Sequence, residues 1–234
     1  MLTEQTLDYL TELRKRLLYC VYTYLILFAL FFYTAHSIFE FLSTPLLQFL
    51  PTGSSFVATQ ITTPVVMPIK LALNLALFCS LPMIFFQLWL FITPALYKHE
   101  KTYVLPFVIL SLFLFLIGVA FAYYFILPMM FSFFVQWLPN NVAIMADINN
   151  YLDFVFNMFL IFGFVFEIPL AIVLLVKANF ISAEQLVNKR SYFILIAFIV
   201  SMFLTPPDVL SMTLLAVPIC LLYEIGILIA KRLK

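Results

Sequence analysis

Six apolar runs, residues 17–38, 69–92, 103–134, 151–177, 191–205 and 211–230, divide the chain, and most are longer than a helix in a soluble core needs to be. A run of about 18 or more residues with few charges can cross the ~30 Å hydrocarbon layer of a bilayer. Water is absent there, so each backbone N–H and C=O must find its partner within the segment, which makes each run a helix. Composition agrees: 65% of the residues are hydrophobic and 10% are charged, against roughly 45–50% and about 25% in soluble domains. The expectation is an all-α membrane protein with six transmembrane helices, a single integral membrane domain over residues 1–234, and both termini on one face.

The runs are unequal. At ~1.5 Å per residue the third is longer than the hydrocarbon requires and must tilt or project. The fifth reaches only ~22 Å and must thin the bilayer or shelter in a bundle. Ahead of the first run, residues 3–16 place Leu7, Leu10, Leu13 and Leu17 at three- and four-residue steps, with Asp8, Glu12, Lys15 and Arg16 mostly elsewhere. That periodicity predicts an amphipathic helix in the headgroup layer, capped by Thr3 or Thr6. Residues 40–67, punctuated by Pro45, Pro51, Gly53 and Pro64, are expected to form an ordered external loop, and Gln136–Asn150 a second. Ser182 with Gln185 three residues on is a capping-box pattern. The first residues are polar and acidic, unlike a cleaved leader, so residues 1–16 are expected to stay on the mature chain. The end soon after the last run is expected to leave no cytoplasmic tail.

Orientation follows from the basic residues. Of the twelve Lys and Arg, all but Lys70 fall on the side of the termini, which predicts cytoplasmic termini by the positive-inside rule. The net charge of +1 offers no basis for nucleic-acid binding. Cys20, Cys79 and Cys220 lie in apolar runs without metal-ligand spacing and read as small hydrophobes, so no metal or cofactor is expected.

Few polar residues remain to carry function. Glu167, in Phe-Glu-Ile-Pro, is an ionisable group inside a span, which is costly unless it is used, paired or protonated. Pro169 frees a backbone carbonyl nearby. Lys70 either snorkels to the external interface or pairs with an acid in the bundle. Asn74, Gln87 and Asn157 read as interhelical hydrogen-bonding groups. On the face of the termini, Glu12 has Arg16 four residues on and can be an ordinary intrahelical pair. Glu100, in the charged island Thr93–Lys101, opens the third helix and can be an ordinary charge at the positive helix end. Two carboxylates on a basic face can also each take a guanidinium in bidentate fashion, which Lys cannot reproduce.

Four segments, Leu10-Thr-Glu-Leu-Arg-Lys-Arg-Leu17, Pro94-Ala-Leu-Tyr-Lys-His-Glu100, Phe166-Glu-Ile-Pro169 and Leu204-Thr-Pro-Pro-Asp-Val209, resemble in order the motifs of the TatC family, the multispanning subunit of the twin-arginine protein translocase. The resemblance covers nearly the whole chain. It implies a concave, glove-like bundle with short helices 5 and 6 in the bacterial inner membrane, which binds twin-arginine signal peptides of folded cargo at the cytoplasmic face. Glu12 and Glu100 would contact the arginine pair, supported by Arg14, Arg16 and Phe91. Pro45 would lie in the first external loop, Glu167 would face the concavity, and Asp208 would sit in the external turn between the short helices. Implied partners are TatA- and TatB-type single-span subunits, near Met202 and Thr205, together with membrane lipid and further copies of the chain within the receptor complex. Transport would draw on the proton-motive force, and the sequence has no P-loop.

The chain departs from the family pattern at Tyr9, where many members have His, and at Met212, where a Gln can occur. The alternative, an ion-coupled secondary transporter using Glu167 and Lys70, lacks paired broken helices in matching halves. An enzyme is not expected: His99-Glu100 is followed by Lys-Thr-Tyr and so lacks the second His of a metalloprotease helix.

Overall fold

A computed structural model of the chain describes residues 4–47, 55–96, 104–136, 145–178, 180–204 and 209–232. Its elements are α1 (Glu4–Leu47), β1 (Ser55–Val57), α2 (Thr63–Leu96), α3 (Val104–Phe121), a π-helical segment (Ala122–Ile126), α4 (Leu127–Gln136), β2 (Met145–Asp147), α5 (Ile148–Lys177), α6 (Ala183–Asn188), α7 (Arg190–Leu204) and α8 (Val209–Arg232). Among the described residues five stretches are long and apolar enough to cross a membrane: Thr11–Ala35, Thr63–Gln87, Pro106–Gln136, Ile148–Lys177 and Met212–Arg232. The apolar helix α7 is shorter, at 15 residues. The last helix, α8, is not short: its 24 residues reach ~36 Å.

Helix ends differ from the hydropathy boundaries. The amphipathic segment and the first span are one helix, α1, because nothing from Glu4 to Thr44 breaks it: there is no glycine, and the single proline, Pro45, comes in the last turn. Pro45 is therefore helical by its backbone rather than part of a loop, while its side chain lies outside the described residues. Past the apolar run the helix is held by burial of Leu42 and Ser43 and by Ser43 and Thr44 hydroxyls donating to the Glu40 carbonyl at 2.9 and 3.2 Å. Helix α2 starts at Thr63, earlier than the hydropathy boundary, since Pro64 suits a first helical turn that has no use for its amide. It also runs through Pro94 to Leu96.

The described residues divide into two compact units: Met1–Thr44, Val57–Leu112 and Asp147–Asn149 in one, and Pro45–Phe56, Phe113–Ala146 and Asn150–Lys234 in the other. In the first, Ala72, Ala76 and Ser80 form a fully buried stripe of small residues along α2, which lets a neighbouring backbone come close. Asp147 accepts from the Thr59 amide and hydroxyl at 3.2 and 2.5 Å, and Asn149 donates to Thr63 at 3.1 Å. The two-stranded pairing of β1 with β2 joins residues some ninety positions apart, which no local pattern marks.

Helix α5 is the axis of the second unit. A Cβ on Gly118 of α3 would stand 2.4 Å from the Phe162 carbonyl oxygen, and one on Gly163 would stand 2.3 Å from the Phe115 ring. Further along, a Cβ on Gly226 of α8 would lie 2.9 Å from Pro169 Cα. Gly118 and Gly226 thus bring α3 and α8 to near backbone distance from α5, and Gly163 makes room for the Phe115 ring. Beyond them, Val165 packs with Ala197, Ala216 and Ile219, and Ile172 and Val176 with Tyr223, Ile227 and Ala230. Ser182 caps α6 as the spacing predicts, its hydroxyl accepting from Gln185 N at 3.2 Å while Gln185 Oε1 accepts from Ser182 N at 3.0 Å.

Gly118→Ala is expected to destabilise the protein by about 1–3 kcal/mol, because the added methyl meets backbone that cannot rotate away. Unfolding titrations in detergent check this, and an unchanged midpoint would show that the α3–α5 contact is looser than described.

Candidate functional site

The polar cluster at the N-terminal end of the first unit is built on α1. Glu12 and Arg16 are one turn apart on the same face, and Arg16 donates from Nε to Glu12 Oε1 at 3.0 Å and again from its second terminal nitrogen to the same oxygen. Its other terminal nitrogen donates at 3.2 Å to Gln87 Oε1 on α2, 71 residues away. The guanidinium fork therefore does two things: it holds the Glu12 carboxylate and ties α1 to α2. A lysine has no such fork.

Exposure separates the partners. The Arg16 side chain retains 20% of its accessible surface and Glu12 46%. Both Arg16 contacts fall on Oε1, so among the described residues Glu12 Oε2 has no hydrogen-bond partner. The carboxylate is thus oriented through one oxygen by an arginine that is itself largely covered. Such an exposed pair contributes only tenths of a kcal/mol to stability. Arg14 and Lys15 are exposed beside it, leaving the surface around Glu12 basic. Phe91 lies one turn beyond Gln87 on α2, with its side chain outside the described residues. Glu100, Thr205 and Asp208 also lie outside them.

The other expected positions are dispersed. Glu167 sits within α5, half-buried, with its Oε1 fully enclosed, and the neighbouring Phe166 ring is 5.4 Å from that of Phe121. Met202 on α7 is exposed, as is Phe203 next to it, and Met212 is half-buried on α8. Gln87 bridges helices as its type suggests. Asn74 instead bonds back to the Lys70 carbonyl at 2.8 Å within α2, and Asn157 is exposed.

One ion pair escaped sequence reading. Arg190, the first residue of α7, donates to Glu224 of α8 at 2.6 Å. Beside it the Tyr223 ring stacks on Phe193 at 3.9 Å, and its hydroxyl donates to the Leu186 carbonyl at 2.9 Å. The signal was available: Glu224 is an acid inside the last apolar run, and Arg190 stands at the matching end of the run before it.

Comparison with known proteins is consistent along the chain. Residues 8–218 match the TatC family, described as Sec-independent protein translocase protein (TatC). A Sec-independent protein translocase protein TatC from Haemophilus influenzae is 46% identical over 229 residues, covering 98% of this chain and 90% of that protein. The one from Escherichia coli K12 is 44% identical, covering 98% and 89%. A crystal structure of the twin-arginine translocase receptor TatC in the detergent DDM superposes with a TM-score of 0.85 at 35% identity, covering 95% of this chain and 99% of that one.

Arg16→Lys should preserve the charge but lose the bridge between α1 and α2. A double-mutant cycle with Gln87→Ala, read by unfolding in detergent, is expected to show a coupling of about 1 kcal/mol, and zero coupling would mean that the contact carries no energy.

Proposed function

Since this chain belongs to the TatC family of Sec-independent protein translocase proteins, we propose that it is the receptor subunit that binds twin-arginine signal peptides of folded cargo at the cytoplasmic face of the bacterial inner membrane. Membership makes it a multi-pass component of a protein translocase, outside any catalytic family, and sets aside the reading as a secondary transporter. In this reading the short helix α7 is the fifth of six spans, completing a single six-span domain with both termini cytoplasmic. Its support is the placement of every Lys and Arg except Lys70 on the side of the termini.

One observation carries the site: the Glu12 carboxylate is held in place through one oxygen by Arg16, itself anchored on Gln87, while the other oxygen has no hydrogen-bond partner among the described residues. A fixed carboxylate with a vacant lone-pair face suits an incoming guanidinium, because the orientational cost has already been met. Glu100 supplies the second acid, so that two arginines find two carboxylates. Arg14 and Phe91 complete the surface.

The same reading gives Glu167 a role after binding. An enclosed acid on the helix to which α3 and α8 are pinned is suited to respond to cargo or to the proton-motive force. TatA- and TatB-type helices dock on the exposed Met202 side of α7, near Thr205, and further copies of the chain join in the receptor complex, with Pro45 and Asp208 on the external side.

Glu12→Ala and Glu100→Ala are each expected to weaken crosslinking of a twin-arginine peptide at least about tenfold, with the double variant losing less than the sum because both acids serve one ligand. The wild type should prefer Arg-Arg over Lys-Lys. Equal labelling by both peptides of all variants would defeat the assignment.

Glu167→Gln is expected to leave peptide binding intact and to slow export of a folded reporter severely, measured in cells whose own copy of this subunit is replaced by this chain. A normal export rate would remove Glu167 from the transport cycle.

A further inference from the structure

The ends of α5, α6 and α8 in the second unit converge on one basic surface that the signal-peptide site does not use. The spans Ile148–Lys177 and Met212–Arg232 terminate on cations, so Lys177, Lys231 and Arg232 stand at the depth of lipid phosphates. Val176 and Ala230, the residues preceding them, share one buried cluster, and Val187 of α6 and Phe193 of α7 pack against it. Lys189 and Arg190 at the α6–α7 junction therefore belong to the same end. Among the described residues five cations and two carboxylates stand there: Glu184 is exposed, and Glu224 is engaged by Arg190 at 2.6 Å. The Arg190 side chain keeps 43% of its accessible surface, and a guanidinium has donors to spare after one carboxylate contact.

The surface continues into an apolar one. Leu221, Ile225 and Leu228 are exposed on α8 at steps of four and three, and four residues further the same stripe ends on Arg232. Cation above and uninterrupted apolar stripe below match a phospholipid, whereas a free anion would have no use for the stripe. The cations also come as two pairs, Lys189–Arg190 and Lys231–Arg232. One pair stands at the α6–α7 junction and the other at the end of α8, so two phosphates joined through a glycerol give each pair its own anion.

We propose that this end of the α5–α8 unit binds the headgroup of a diphosphate lipid of the cardiolipin class, with acyl chains along the exposed stripe of α8. The site lies at the opposite end of the antiparallel α7–α8 hairpin from Met202, so lipid and partner helices do not compete for it.

The test is native mass spectrometry of the full chain in detergent, titrated with cardiolipin, phosphatidylglycerol and phosphatidylethanolamine, with inorganic phosphate in a separate arm. Cardiolipin is expected to be retained at least about fivefold more tightly than phosphatidylglycerol, and phosphatidylethanolamine not at all. The double variant K231Q/R232Q should lower cardiolipin affinity roughly 10- to 30-fold without changing the melting temperature of the lipid-free protein, while K15Q on α1 leaves it unchanged. Equal retention of the three lipids, an equal loss in K15Q, or saturation of the site by inorganic phosphate would each overturn the proposal.

Discussion

Helices surrounded by lipid gain nothing from hiding apolar surface from one another, since the solvent is as apolar as they are. What holds them is close contact, and close contact requires small residues. The second unit obeys this constraint: Gly118, Gly163 and Gly226 each sit where a single methyl would collide with α5 or with a ring packed on it. In the first unit the buried Ala72, Ala76 and Ser80 stripe of α2 is the milder form of the same solution. Remove the close approaches and the clusters around Val165 and Ile172 lose the spacing that lets their larger side chains interlock.

Polar links supply what apolar contact cannot, which is register. Arg16 fixes α1 against α2 through Gln87, and Arg190 fixes α7 against α8 through Glu224. Both links join an arginine to a polar group on the next helix in the chain, and both arginines keep part of their surface exposed, so desolvation is modest. Glu167 on α5 differs in having one carboxylate oxygen fully enclosed.

Much of this was legible in the sequence, because hydropathy is a local signal of high amplitude: the apolar runs, the Ser182 cap and the Glu12–Arg16 pair are each written within a few residues. Helix ends were less legible, because burial decides them. Residues 40–47 read as loop from their polarity and their proline, yet Leu42 and Ser43 are packed and keep the helix going. The β1–β2 pairing and the Arg16–Gln87 and Arg190–Glu224 contacts depend on residues far apart in sequence, so no local pattern announces them. Asn74 shows the opposite error: a polar residue in a span need not bridge helices when a carbonyl four residues back is within reach.

The π-helical segment at Ala122–Ile126 has a consequence for how this span is phased. Buried positions in the second unit advance along α3 as Phe115, Gly118 and Ala122, in steps of three and four. The Leu127 amide then reaches back five residues to the Ala122 carbonyl, and burial continues at Ile126, Leu127, Met130 and Phe131. One extra residue in a single turn rotates everything after it by ~100°, and it does so just before Pro128, which has no amide to give. The segment acts as a dislocation in an otherwise regular lattice, adding a second buried column, Leu127 and Phe131, beside the one that continues through Ile126 and Met130.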